Sequence, residues 1–207
     1  MIDCLAPKAP PIQLVLATGN LHKIQEFQEL LAPLDWNITS AKTLGLQLPT
    51  EPAGADGATL NSNAALKAEF ICEKTSSWAL ADDSGLFVKA LPHDLGVDTA
   101  TYGGVALLLA ALANQGRRQA CFRCVLALAR PNAPTLYFTG EDHGTISHQA
   151  LGTAGLTYDP VFIQEGHTLT NSERIANAGL AAVKGQGHRG KAVQTLMAWA
   201  QQNRHSC

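Results

Sequence analysis

Two adjacent aspartates, Asp82 and Asp83, stand between apolar runs in "WALADDSGLFVKAL", residues 78–91. By residue type, Trp78 to Ala81 end one buried strand and Leu86 to Leu91 begin another. The acidic pair then falls in a turn, whose geometry Asp and Gly accept. A turn has no need of two carboxylates side by side, which repel one another unless a cation sits near. The pair therefore calls for a cation close by.

Two further stretches suit anions. In "LVLATGNLHK" a strand turns through Thr18, Gly19 and Asn20 into a helix whose first turn holds Lys23. A helix start offers unpaired N–H groups and a positive dipole end, which favours phosphate. The same residues also read as an ordinary helix cap with an exposed lysine. "KGQGHRGKA", residues 184–192, spells both G-x-G-x-x-G and G-x-x-x-x-G-K. Ala192 stands where a phosphate loop needs Ser or Thr, and the chain ends before a dinucleotide fold could follow. What remains is a glycine-rich helix start carrying Lys184, His188 and Arg189, the last able to fork onto phosphate oxygens.

The elements that must hold these groups alternate, which favours an α/β class. Ile12 to Ala17 reads as a strand and Leu21 to Ala32 as an amphipathic helix closed by Pro33. "WNIT" is a second strand, and Thr59 to Lys74 a longer helix. "GVALLLAALANQ" reads as a buried helix. Gln119 to Ala129 and Leu136 to Ile146 form a β-ribbon around "RPNAP", and a last helix runs from Arg189 to Gln202. No linker divides residues 1–207, which read as one domain.

With 207 residues and a net charge of −2, the chain can bury a substantial core and carries no electrostatic footprint for a nucleic-acid polymer. No apolar run is long enough to span a bilayer, and "MIDCLAPKAPP" lacks the apolar core of a signal peptide. Five scattered cysteines (Cys4, Cys72, Cys121, Cys124, Cys207) suit reduced thiols in a cytoplasm. "CFRC" at 121–124 lies in a strand, where residues three apart face opposite ways, and no second pair completes a zinc site.

Taken together, "LATGNLHKIQE" (16–26), "NAALKA" (63–68), "ADDSGL" (81–86), "FRCVLAL" (122–128), "GTAGLTYDPVF" (152–162) and "HRGKA" (188–192) resemble the inosine triphosphate pyrophosphatase family. These enzymes hydrolyse noncanonical purine nucleoside triphosphates to monophosphates. The resemblance implies an elongated mixed sheet with two α/β lobes around a nucleotide cleft, a homodimer, and Mg²⁺ as cofactor. It implies Asp83 as general base or metal ligand, Asp82 as support for the turn, and Ser84 on a phosphate or the nucleotide. Lys23, Lys184 and Arg189 would neutralise phosphate charge, and Thr18, Gly19 and Asn20 would position it. Leu156, Thr157, Tyr158, Asp159 and His188 correspond to base and sugar contacts.

Several positions depart from the family pattern. Gly54, Ala55 and Asp56 stand where acidic residues are usual, so Asp56 or Glu51 would have to complete the metal site. Ser62 replaces a glutamate, Thr101 an arginine, Gly187 a serine, and Leu156 an aromatic ring. A catalytically weak nucleotide binder, acting as sensor or partner, is therefore the second class of function left open.

Overall fold

The computed structural model describes residues 11–203. Cys4, Cys207 and the signal-peptide reading of residues 1–10 lie outside them.

The first half of the chain winds around one short strand. β1 (Gln13–Leu16) leads into α1 (Leu21–Leu31), and a turn of 3-10 helix at Ala32–Leu34, holding Pro33, closes it. β2 (Asn37–Ser40) then pairs parallel to β1. α2 (Leu60–Thr75) starts from a reciprocal cap at Thr59. The Ser62 amide donates to Thr59 Oγ1 at 3.0 Å, and the Thr59 amide donates to Ser62 Oγ at 2.8 Å. Ser62 thus does with a hydroxyl what a glutamate does in the usual capping box.

β3 (Trp78–Val88) corrects the reading of its aspartates as a turn. It runs unbroken through Asp82 and Asp83, parallel to β1 at its start and antiparallel to β5 (Gln119–Arg130) along its length. Asp82 sits opposite Leu126 and Asp83 opposite Val125. The apolar partners on β5 hold the acidic segment extended, which side-chain type alone did not reveal.

β4 (Leu91–Gly96) folds back on β3, and α3 (Gly104–Ala111) follows. α3 is not the buried helix its composition suggests: within it only Leu108 is buried, while Leu107 is exposed. β6 (Ala133–Ile146) pairs with β5 across a tight turn in which Asn132 takes a left-handed conformation. β7 (Phe162–Gln164), α4 (Asn171–Ala178), α5 (Leu180–Lys184) and α6 (His188–Gln202) complete the described chain.

The result is a mixed α/β architecture with strand order β2-β1-β3-β5-β6-β7 and β4 paired to β3. Because β2 and β3 lie on opposite sides of β1, the two crossover helices cover opposite faces. Phe27 and Leu31 of α1 pack with Leu14, Leu16 and the α6 residues Val193 and Leu196 on one face. Ala64, Ala68 and Ile71 of α2 pack with Val15, Ala79, Ala81 and Val125 on the other. A third cluster gathers Leu86, Leu108, Leu112, Tyr158 and Phe162. The chain adds β2 on one side of β1 and β3 on the other, and this reversal of strand order leaves a crevice beyond the carboxyl end of β1, where open α/β sheets bind ligands. Among the described residues no helix is long and apolar enough to cross a membrane.

α6 lies directly on β6 at Gly140, where an added Cβ would meet the His188 carbonyl oxygen at 2.1 Å and the Ala192 nitrogen at 2.4 Å. Both obstacles are backbone and cannot swing aside. Gly140→Ala is expected to push α6 off the sheet and cost about 1–3 kcal/mol, read as a lower urea midpoint with unchanged far-ultraviolet dichroism. An unchanged midpoint would show that α6 yields freely.

Candidate active site

Strand alternation sends the two aspartates to opposite faces of the sheet. Asp82, only 2% exposed, points to the α1/α6 face. Lys23 Nζ reaches both its oxygens at 3.0 Å, and Arg189 donates to Oδ2 from Nε at 3.2 Å and Nη2 at 3.0 Å. The Arg189 Nη1 donates to Glu26 Oε2 at 2.8 Å. Burial alone would raise the Asp82 pKa, but Lys23, Arg189 and Lys67 together hold it far below the usual carboxylate range. Asp82 is thus an ionised anchor joining α1, β3 and α6, and not the support of a turn.

Asp83 faces α2 and has a different environment. Burial, with Glu51 and Asp82 adding to it against the pull of Lys67, pushes its pKa up to about 6. Its Oδ1 accepts from the Ser84 amide at 2.9 Å, while Oδ2 is buried without a hydrogen-bond partner. Beside it, Lys67 Nζ donates to the Asp82 carbonyl oxygen at 2.7 Å and forms an ion pair with Glu51. A carboxylate that can take or give a proton near neutrality, with one oxygen unengaged, suits a general base.

The loop after β1 lies next to this pair, since the Ala17 amide donates to the Leu80 carbonyl. Here the capping reading of Asn20 holds: its Oδ1 accepts from the amides of His22 and Lys23. Thr18 Oγ1 accepts from the Asn20 amide at 3.2 Å, and Gly19 is exposed. Ser84 Oγ sits 3.5 Å from Asp82 Oδ2, on the Asp82 side of β3.

The residues expected at the base and sugar divide. Leu156 and Thr157 are exposed, whereas Tyr158 belongs to the core and donates its hydroxyl to the Thr99 carbonyl at 3.1 Å. Asp159 is buried; it holds Lys184 at 2.8 Å with both oxygens and accepts from the Leu156 amide at 2.6 Å. Gly155 is required there, since a side chain at its φ of +87° would run into the Asp159 carboxylate. His188 stacks on Phe122 with centroids 5.0 Å apart. Burial, then Arg189 and Lys184, hold its imidazole well below the ordinary pKa, so it stays neutral at pH 7. Leu156 and Lys184 also line a cavity of about 510 Å³, together with His22, Gln25, Glu26 and Ile175.

Asp56 needs correction as a metal ligand. It is exposed in a 3-10 turn, Gly54–Asp56, whereas the charges that act on Asp83 are those of Lys67, Glu51 and Asp82. Glu51, the other acidic residue of that loop, takes the place beside Lys67 and Asp83. Sequence reasoning also passed over Lys67 and Glu26. Lys67 stands inside "NAALKA", where a lysine among alanines on a buried helix face was the available signal. Nothing in the sequence marks Glu26, whose role depends on Arg189 arriving from 163 residues away.

Residues 14–199 match the model of the Ham1 family. Among similar proteins, a dITP/XTP pyrophosphatase of Zymomonas mobilis is 37% identical over 199 residues, covering 91% of each chain. One from a Nostoc species is 40% identical, covering 89% of this chain and 92% of that one. A HAM1 protein from Coxiella burnetii superposes with a TM-score of 0.81 at 30% identity, covering 92% of this chain and 99% of that one. The Staphylococcus aureus Ham1 protein gives 0.78 at 29%, with the same coverage.

Asp82→Asn removes the buried charge that Lys23 and Arg189 share. Breaking a buried pair from one side costs about 3–5 kcal/mol, so the urea midpoint at pH 7 should fall sharply. The sign with pH follows from the lowered Asp82 pKa. Its stabilisation is present above the unfolded aspartate value and lost as pH falls below it, so the gap between wild type and variant should narrow below about pH 4. A constant gap from pH 7 to pH 3 would show that Asp82 contributes through shape alone.

Proposed function

The chain belongs to the Ham1 family, and from that premise we propose that it hydrolyses noncanonical purine nucleoside triphosphates, of the dITP and XTP kind, to monophosphate and pyrophosphate. The observation that carries this reading is Asp83, a carboxylate held near pH 6 with one oxygen unpaired, in the crevice beyond the parallel strands. Asp83 takes the proton of the attacking water as the water oxygen bonds to phosphorus and the α–β bridge to pyrophosphate breaks. Lys23, 28% exposed, is the cation of the Asp82 cluster most open to a phosphate, while Arg189 is buried behind it. The cap at Asn20 and the exposed Gly19 set how closely the phosphates approach the backbone. A binder without catalysis has no use for such a base.

The charge balance bears on Mg²⁺. Lys23, Lys67 and Arg189 face four carboxylates, those of Asp82, Asp83, Glu26 and Glu51. When all four are ionised the site carries surplus negative charge and is unfavourable to a polyanion entering alone. With Asp83 Oδ2 left for the proton, its Oδ1 and the Glu51 carboxylate are hard oxygen donors of the type Mg²⁺ takes. When bound there, Mg²⁺ would supply charge neutralisation on the phosphates. The homodimer and the cytoplasmic location belong to the same proposal, supported by the family resemblance and by free thiols at Cys72, Cys121 and Cys124.

Pyrophosphate release from dITP, XTP and the common triphosphates, with Mg²⁺ present, tests the activity. Asp83→Asn should lower kcat by about 10²-fold or more, and wild-type kcat should fall on the acid side as Asp83 gains its proton near pH 6. A variant within threefold of wild type would place the base elsewhere.

Leu156 is 53% exposed at the mouth of the cavity, so a larger ring has room. Stacking on a base is worth about 1–3 kcal/mol. Leu156→Phe should lower KM for dITP and XTP with kcat little changed. A folded variant with unchanged KM for every purine triphosphate would show that this position does not face the base.

A further inference from the structure

The β5–β6 hairpin draws a second set of chemically active side chains together, away from the crevice. Cys121 pairs opposite His143, and Arg123 opposite Glu141. Directly opposed residues share a face of the ribbon, as do residues two apart on one strand. The ligand atoms of Cys121, Glu141 and His143 consequently lie within 4.8 Å of one another. The "CFRC" motif therefore contributes one thiol to this face, while Cys124 is buried on the other. The companions of Cys121 come from across the hairpin.

The spacing fits a metal ion. His143 Nε2 lies 3.2 Å from Glu141 Oε2. Two donors bound to one tetrahedral zinc at about 2.0–2.1 Å stand about 3.3 Å apart, so these atoms already span one edge of such a site. Arg123 Nε donates to the other carboxylate oxygen, Glu141 Oε1, at 2.6 Å, and its guanidinium lies over the Phe87 ring at 5.1 Å. That contact fixes the carboxylate and leaves Oε2 directed at the imidazole, in the manner of the outer partners that orient metal ligands.

We propose that Cys121, Glu141 and His143 bind a zinc-class divalent ion, with water in the fourth position. Thiolate and imidazole favour such an ion over Mg²⁺, which the oxygen donors around Asp83 suit. The two sites are separate. Phe87, the β3 partner of Cys121, lies four residues beyond Asp83, about 13 Å at about 3.3 Å per residue. Burial and the nearby Glu141 raise the Cys121 pKa, so the thiol is protonated at neutral pH. Binding replaces its S–H bond with an S–metal bond and releases the proton to solvent. Affinity therefore rises with pH.

Cobalt(II) titration of the full chain, followed by competition with zinc, tests the proposal. Wild type should develop a thiolate-to-cobalt charge-transfer band at one ion per chain, and zinc should abolish it. A Cys4→Ser/Cys207→Ser variant should keep the band. Cys121→Ser should lose it, and His143→Ala and Glu141→Gln should each weaken zinc binding at least tenfold in competition with a chromophoric chelator. Cobalt at Asp83 and Glu51 would bring no thiolate band, which separates the two sites. The proposal is overturned if wild type shows no such band, if Cys121→Ser retains it, or if all three variants, folded by circular dichroism, hold zinc within threefold of wild type.

Discussion

A single buried carboxylate, Asp82, holds the architecture together. A carboxylate out of water is tolerable only where cations and hydrogen bonds replace the solvent. Asp82 draws Lys23 from α1 and Arg189 from α6 to one point, while Lys67 from α2 takes its backbone carbonyl. Three helices on two faces of the sheet are thereby referred to one residue of β3. The loop at Thr18–Asn20, the neutral imidazole of His188 and the cavity wall at Glu26 take their positions from elements that this cluster fixes.

The neighbouring carboxylate shows how much environment decides. Asp82 and Asp83 are chemically identical and adjacent, yet one is held ionised at every ordinary pH and the other titrates near 6. The difference is the face of the strand. One side meets two cations directly. On the other, the single cation is already engaged by Glu51, and burial dominates. Pairs of acids pushed apart in this way are a recurrent basis for dividing structural and catalytic roles.

α1 and α2 were legible from a helical period and capping residues, α6 from its glycine-rich start, and the β5–β6 ribbon from two long runs around "RPNAP". α4 and α5 went unread: their few apolar residues are interrupted by Gly179, and one is only five residues long. β3 was misread because carboxylates in a strand contradict local preference, and only its tertiary partners explain them. In the site, the motifs located Lys23, Asp83, Lys184 and Arg189. Their partners were not legible, since an ion pair depends on the fold and not on spacing. Lys184 shows this best. Beside a glycine-rich helix start it reads as a phosphate ligand, yet in the structure both oxygens of Asp159 hold it. Glu51 and Asp56 illustrate the same limit, because loop geometry decides which of two nearby acids reaches Asp83.

The link between Asp82 and Arg189 joins residues 107 positions apart. A chain emerging from the ribosome completes β3 long before α6 exists. During that interval the Asp82 carboxylate has no guanidinium to receive it. Contacts of this span form late, because loop closure must precede them. The cluster around Asp82 can therefore close only once α6 has been made, and a chain cut short before α6 lacks the guanidinium that balances this carboxylate. Arg189 is thus among the last residues of the site to be synthesised, and the charge balance of the buried carboxylate waits on it.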